Sequence, residues 1–409
     1  MKIWIFLIVF VFGIFSINFS SAAHFIVGQV NDAYDGTSAN DRIITLWNPE
    51  DGIQDNITDI IGENGNSGQD NTYMIDCEWR NESQGGIGGL QAPCQIGDVL
   101  SIRVFNSGDG YVTREVNVTV TSNGFDVAPS LRLNSPPIIT SILIDDDTSF
   151  PLGEIDLTVA GTKPITCQGV ILDYDGDSEI TNASSEFYDD IISFTGDSDD
   201  NNYHYTNSSC FLNQSYGNGN QSSFSCSFDV HYYANAGNWS CDVSARDNLN
   251  ANSSGSNITV VNELLAVGLP DVIDFDIVDG GSVSNETQVN VTNYGNVMIN
   301  LSLSGYGGIP GDGWAMNCTL GNNISIDYEK FNLTSPNTGS LTLNQFEGLY
   351  RNLSSSTQVR EFNLNYKQAD GGSTAEHTNS TYWRIYVPVF VAGSCSGNLV
   401  FGASRSPAT

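Results

Sequence analysis

Alternating carboxylates form the sharpest chemical constellation in this chain. Asp173, Asp175 and Asp177, followed by Glu179, place hard oxygen donors at every second position across a single turn. Calcium takes about six to eight oxygens from flexible ligands, so Asp173, Asp175 and Asp177 are the candidate calcium ligands. The run is not an EF-hand, because Gly176 falls at the fourth position rather than the sixth. A plain solvated turn, with Asp and Gly supplying only backbone geometry, is the competing reading. The runs Asp145-Asp146-Asp147 and Asp197-Ser198-Asp199-Asp200 are weaker forms of the same signal. No other cofactor is indicated.

Catalysis has little to build on. The histidines are His24, His204, His231 and His377, and none sits in H-E-x-x-H or a comparable metal spacing. No G-x-S-x-G elbow and no Walker-type loop occurs. The Gly-rich stretch from Gly305 to Gly313 lacks the Lys and Ser/Thr of a phosphate cradle, which makes it a turn. Paired carboxylates for glycoside hydrolysis stay open, since only their separation in space identifies them. The expectation is a protein that is not an enzyme. Tyr203, Tyr205, Tyr232, Tyr233, Trp314 and Trp383 could stack on sugar rings or fill a partner's pocket, with core packing as the default. Trp239, flanked by strand residues, is expected in a core against a disulfide.

A second chemistry is modification. N-x-S/T triplets begin at Asn56, Asn81 and Asn117 and continue at Asn182, Asn207, Asn213, Asn220, Asn238, Asn252 and Asn257. They end with Asn285, Asn290, Asn300, Asn317, Asn323, Asn332, Asn352 and Asn379. Each is an N-glycosylation acceptor if the chain is exported, and each must then lie on the surface. In Val116-Asn117-Val118-Thr119-Val120, Val289-Asn290-Val291-Thr292 and Ile258-Thr259-Val260, strand alternation is expected to turn Asn and Thr outward and the aliphatic residues inward.

Export is indicated by the start of the sequence. Met1-Lys2, an apolar run from Ile3 to Phe15 and the small residues Ser21-Ala22-Ala23 read as a signal peptide, residues 1–23, cut before His24, with an uncleaved N-terminal anchor as the competing reading. No later apolar stretch reaches the roughly 20 residues of a transmembrane helix, so none is expected in the mature chain. The expected location is secreted or cell-surface. The eight cysteines fall as Cys77 and Cys94, then Cys167, Cys210, Cys226 and Cys241, then Cys318 and Cys395. Even counts per segment in an exported chain point to disulfides within domains. Cys77–Cys94 and Cys318–Cys395 are then the outer pairs, and the middle four allow three pairings. A formal net charge of −33 with 14 basic residues excludes nucleic acid as a partner.

Short alternating runs punctuated by Gly, Asn and Asp turns define the elements that must carry these groups. They read as an all-β chain of three tandem β-sandwiches. Examples are Ile155 to Val159, Ile299 to Leu303 and Phe362 to Tyr366; only Leu343 to Tyr350 has the apolar spacing of a short helix. Breaks at Leu133 to Pro137 and near Asn262 to Pro270 give domains 24–135, 136–264 and 265–405.

The opening strand Phe25 to Val30, the Asp35-Gly36 turn, Gly97 to Ile102 and Tyr111 to Val120 resemble carboxypeptidase-regulatory-like, prealbumin-type sandwiches. Val170 to Asp177 and Gly237 to Asn248 resemble PKD-like and other immunoglobulin-like surface modules. Trp239 stands where that family usually has Tyr, and the extra cysteines depart from its pattern. Val289 to Asn296 is similar to strands of archaeal cell-surface β-domains. Together these likenesses imply an archaeal exported glycoprotein with a structural or adhesive role, as in a surface layer (S-layer) or cell contact. The partners implied are other cell-surface proteins, glycans or further copies of the chain. The alternative is a set of carbohydrate-binding or protease-accessory modules.

Overall fold

The computed structural model describes residues 23–407, apart from 79–88, 91, 106, 148–152, 337–338 and 369–375. The expected signal peptide, except Ala23, and the triplet at Asn81 therefore lie outside the described residues. The chain is all-β, with one α-helix among the described residues, and it divides into two compact units.

The first unit comprises residues up to 136 together with 248–251. One sheet runs Thr72–Asp76, Phe25–Asn31, Phe125–Val127, with Leu131–Arg132 also paired to Phe25–Asn31. The other runs Asn56–Ile60, Ile43–Trp47, Val99–Val104, Val116–Thr119. Ile26, Val30, Ile44, Leu46, Ile75 and Ile102 meet between them, and Cys77–Cys94 closes a loop at the end of Thr72–Asp76.

The second unit, residues 137–247 with 252–409, holds two further cores. The middle sandwich sets a five-stranded sheet (Glu154–Ile155, Asn252–Val261, Gly237–Asp247, Ile180–Asp189, His204–Asn207) against a four-stranded one (Phe211–Asn213, Gln221–His231, Thr162–Leu172, Ile138–Asp145). Strict alternation explains the packing. In Gln221–His231 the side chains of Phe224, Cys226, Phe228 and Val230 face in, while Ser227 and Asp229 face out. Trp239 is fully buried 4.8 Å from the Phe187 ring, and its indole N–H donates to the Asn235 carbonyl at 2.8 Å. The middle cysteines pair as Cys167–Cys241, which joins the two sheets, and Cys210–Cys226.

In the last sandwich, Val267–Gly268, Thr287–Asn293, Thr378–Val387, Glu329–Asn332 and Arg351–Asn352 form one sheet, with Ser282–Val283 also on Thr378–Val387. Two three-stranded sheets accompany it, Gln358–Leu364, Ile299–Tyr306, Asn398–Arg405 and Ile324–Ser325, Trp314–Gly321, Val391–Ser396. Cys318 bonds Cys395 across the neighbouring strands Trp314–Gly321 and Val391–Ser396. The expected helix forms at Leu343–Leu349, started by a Thr342/Gln345 capping box and anchored by buried Phe346.

Two local expectations are corrected. Only Ile155 of the run to Val159 ends in a strand, because the chain turns through Ala160 at φ 56 with Gly161 N–H bonded to the Thr158 carbonyl. In Asn252–Val261 the faces are the reverse of those expected. Thr259 is buried and donates to the Gly153 carbonyl, while Ile258 and Val260 are exposed. Thr259 lies opposite core-facing Trp239 in the ladder, and that pairing fixes the register.

Candidate functional site

The acidic turn is built where strand Thr162–Leu172 ends. Asp173 follows it with no solvent exposure. Its Oδ1 accepts the Asp175 N–H at 2.9 Å and its carbonyl accepts the Gly176 N–H at 3.2 Å. Gly176 adopts φ 125, and the chain then enters a single 3-10 turn, Asp177–Glu179. Asp177 donates its N–H to the Gly219 carbonyl at 2.8 Å. Asp173 Oδ2 has no hydrogen-bond partner. Burial, reinforced by the charges of Asp175, Asp247 and Glu179, pushes the Asp173 carboxyl up to about 7. Asp247, also buried, arrives from the end of strand Gly237–Asp247, opposite Ile180.

The alternating pattern does not converge as spelled. Among the described residues, one group of three carboxylates has oxygens all within 4.8 Å of one another, and it is Asp145, Asp146 and Asp147. That group already holds a cation. Lys163 Nζ lies 3.3 Å from Asp146 and 3.8 Å from Asp147. Asp145 caps the Asp146 N–H, and Asp146 accepts the Asp156 N–H. In the second acidic run, Asp197 takes the Phe194 N–H, Asp199 faces His204 and Thr206, and Asp200 takes the Asn202 N–H. These carboxylates shape a loop.

His24 Nε2 lies 2.8 Å from Asp126. His204 is fully buried, 3.2 Å from Glu186 and 3.2 Å from Asp199, and it stacks on Tyr188. His231 stacks on Tyr233, and His377 is buried. The glycine-rich turn is closed by Asp312. It accepts backbone N–H groups of Gly308, Trp314, Ile309 and Gly307, which hold its carboxyl down at about 2.

Of the candidate aromatics, Trp383 is fully buried against Phe331, and Tyr205 is buried near Trp239. Tyr232 and Tyr233 belong to the joint between the middle and last sandwiches. Tyr232 meets the edge of Tyr294, and Tyr233 receives the Lys367 ammonium on its hydroxyl at 3.0 Å. Asn202 and Asn296 also cross this joint, donating to the carbonyls of Lys367 and Ala234. Trp314 alone among the candidate tryptophans is exposed, at 40%.

One group carried no sequence signal. Glu329 is 2% exposed on the same face of its strand as core residue Phe331. It lines a cavity of about 480 Å³ with Leu269, Ile273, Phe275, Met316 and Phe401. Burial pushes its carboxyl up to about 8, so the acid is neutral and protonated around pH 7.

The glycosylation triplets sort by exposure. Asn117, Asn213, Asn220, Asn238, Asn252, Asn257, Asn285, Asn290, Asn317, Asn352 and Asn379 are exposed. Asn56, Asn182, Asn207, Asn323 and Asn332 are half-buried. Asn300 is corrected. It is 4% exposed, and its Oδ1 accepts the N–H groups of Phe362 and Asn363, so it is not a surface acceptor.

No helix among the described residues is long and apolar enough to cross a membrane. No protein-family model matches the chain, and no curated protein matches it significantly. Among solved structures, the chain is similar to BcpA, the major pilin subunit of Bacillus cereus, at 9% identity over 70% of this chain and 77% of that one, with a TM-score of 0.29. It is similar to the full-length major pilin SpaD of Corynebacterium diphtheriae at 11% identity, over 94% of this chain and 88% of that one, with a TM-score of 0.25. A third likeness is to the T6 backbone pilin of Streptococcus pyogenes, at 8% identity over 92% of this chain and 94% of that one, with a TM-score of 0.25. TM-scores of this size do not establish a shared topology.

Proposed function

We propose that this chain is a non-enzymatic, exported glycoprotein of three tandem sandwich domains, 24–135, 136–264 and 265–405, with a structural or adhesive role at the cell surface. The observation that carries the reading is the cysteine chemistry. All eight cysteines are paired, and every bridge stays within one hydrophobic core or its immediate packing shell. Such bridges persist in oxidising, extracellular surroundings. The leader at the start of the sequence and the many exposed N-x-S/T asparagines support the same compartment. A heavily acidic surface and a polar, asparagine-rich joint between two sandwiches suit a spacer or packing module facing other surface proteins, glycans or further copies of itself.

A second reading, carbohydrate binding, is favoured by Trp314, a half-exposed indole beside the glycine-rich turn. Glycan-array binding lost in Trp314→Ala would favour it, whereas concentration-dependent self-association in sedimentation would favour the structural role.

Glycopeptide mapping of the native protein tests the export reading. Glycans are expected on exposed acceptors such as Asn117, Asn213, Asn290 and Asn379, none on Asn300, and no thiol should react before reduction. Bare asparagines together with titratable thiols would remove the reading.

A further inference from the structure

We infer that Asp173 and Asp247 are the carboxylate ligands of a divalent-cation site, calcium by its chemistry, at one end of the middle sandwich. Asp173 has no solvent exposure, and only one of its two oxygens is used, accepting the Asp175 N–H at 2.9 Å. The other, Oδ2, is buried with no donor. A buried carboxylate oxygen in that position must find a proton, a cationic partner or a metal ion. The acidic groups Asp175, Asp247 and Glu179 add their repulsion to that burial.

Asp247 is the second buried carboxylate there, at 1% exposure. The ladder pairing Ile180↔Asp247 sets it across from the residue that follows Glu179, so it reaches the Asp173 turn from the opposite sheet. Asp175 and Glu179 are half-buried and add negative field around the pair. An all-oxygen, strongly acidic donor set suits a hard cation, and flexible carboxylates completed by water suit calcium over zinc. Asp177, half-buried at the start of the 3-10 turn with its backbone N–H on the Gly219 carbonyl, is left outside the proposed pair.

The ion would have a mechanical role. Cys167–Cys241 already joins strand Thr162–Leu172 to strand Gly237–Asp247. The cation would tie the same two strands a second time, at the end where Asp173 leaves one and Asp247 closes the other.

The test uses the full chain, purified without chelator, in thermal unfolding and calcium titration calorimetry with EGTA as reference. Calcium at about a hundredfold excess over Kd should raise the middle-sandwich transition by several degrees. Asp173→Asn and Asp247→Asn should each abolish that shift, while Asp177→Asn keeps it. Asp173→Asn needs no counter-ion, so in EGTA it should melt no lower than wild type, and far-UV circular dichroism confirms its fold. Absence of a calcium shift in wild type overturns the site. Persistence of the shift in Asp173→Asn or Asp247→Asn overturns the ligand assignment, and its loss in Asp177→Asn does the same. Equilibrium dialysis of calcium against wild type and Asp173→Asn gives an independent reading: equal uptake also overturns it.

Discussion

Replacing Cys167 and Cys241 together by alanine should destabilise the middle sandwich by roughly 4 kcal/mol, the largest loss expected from removing any one covalent link in that domain. The bridge spans 74 residues of sequence, and the entropy that a crosslink removes from the unfolded chain grows with the length it closes. Cys210–Cys226 spans 16, so its removal should cost nearer 3 kcal/mol. Both sulfurs of the long bridge are fully buried, and Cys241 Sγ lies 3.0 Å from Ser185 Oγ, so alanine also leaves a small void between the sheets. The melting temperature of the double variant should fall by about 10 °C. Chemical denaturation of both double variants checks the ranking. An equal or smaller loss for the 167/241 pair would show that the bridge does not act by restraining the unfolded chain.

Glu329→Gln should flatten the pH dependence of the last sandwich. The folded carboxyl sits at about 8 because burial disfavours its charge, whereas in the unfolded chain it returns to the ordinary glutamate value of 4.5. Between those limits the folded state holds a proton that the unfolded state releases, so stability falls as pH rises from 4.5 towards 8. Below that window the folded and unfolded chains are both protonated and no penalty exists. Each pKa unit corresponds to about 1.4 kcal/mol, which makes the penalty a few kcal/mol at alkaline pH. Glutamine keeps the shape and a hydrogen-bond donor without the titration. Urea midpoints at pH 5 and pH 8.5 should therefore converge with wild type at the lower pH and favour the variant at the higher one. Parallel pH profiles for the two proteins would mean that Glu329 is already ionised in the fold.

Much of this was legible because it is local. Thr342 to Leu349 carries its own cap and one apolar stripe, so the helix needs no distant partner to be recognised. Val289-Asn290-Val291 alternates as a strand on a core must, and its valines are buried. What failed depends on partners far away in sequence. The facing of Ile258 and Thr259 is set by the register against Trp239. Asn300 opens an N-x-S/T triplet just as exposed Asn290 does, yet it is buried by strand Gln358–Leu364, whose backbone it caps. Asp173 was visible from its neighbours, but Asp247, 74 positions away, enters only through the ladder. Glu329 looked like an ordinary strand carboxylate, since nothing near it announces that Leu269 to Phe275 will wall in a cavity beside it.

A disulfide-bonded, glycosylated β-sandwich protein that works outside the cell, as proposed, must be reachable on intact cells. The most direct measurement is antibody labelling of intact cells of the producing organism, joined to the intact mass of the labelled protein before and after reduction and deglycosylation. The account predicts labelling without permeabilisation, a mass above the 44.1 kDa polypeptide less its leader that collapses towards it on glycan removal, and eight thiols exposed only by reduction. Labelling that requires permeabilisation, with an unmodified mass and thiols free from the start, would contradict it.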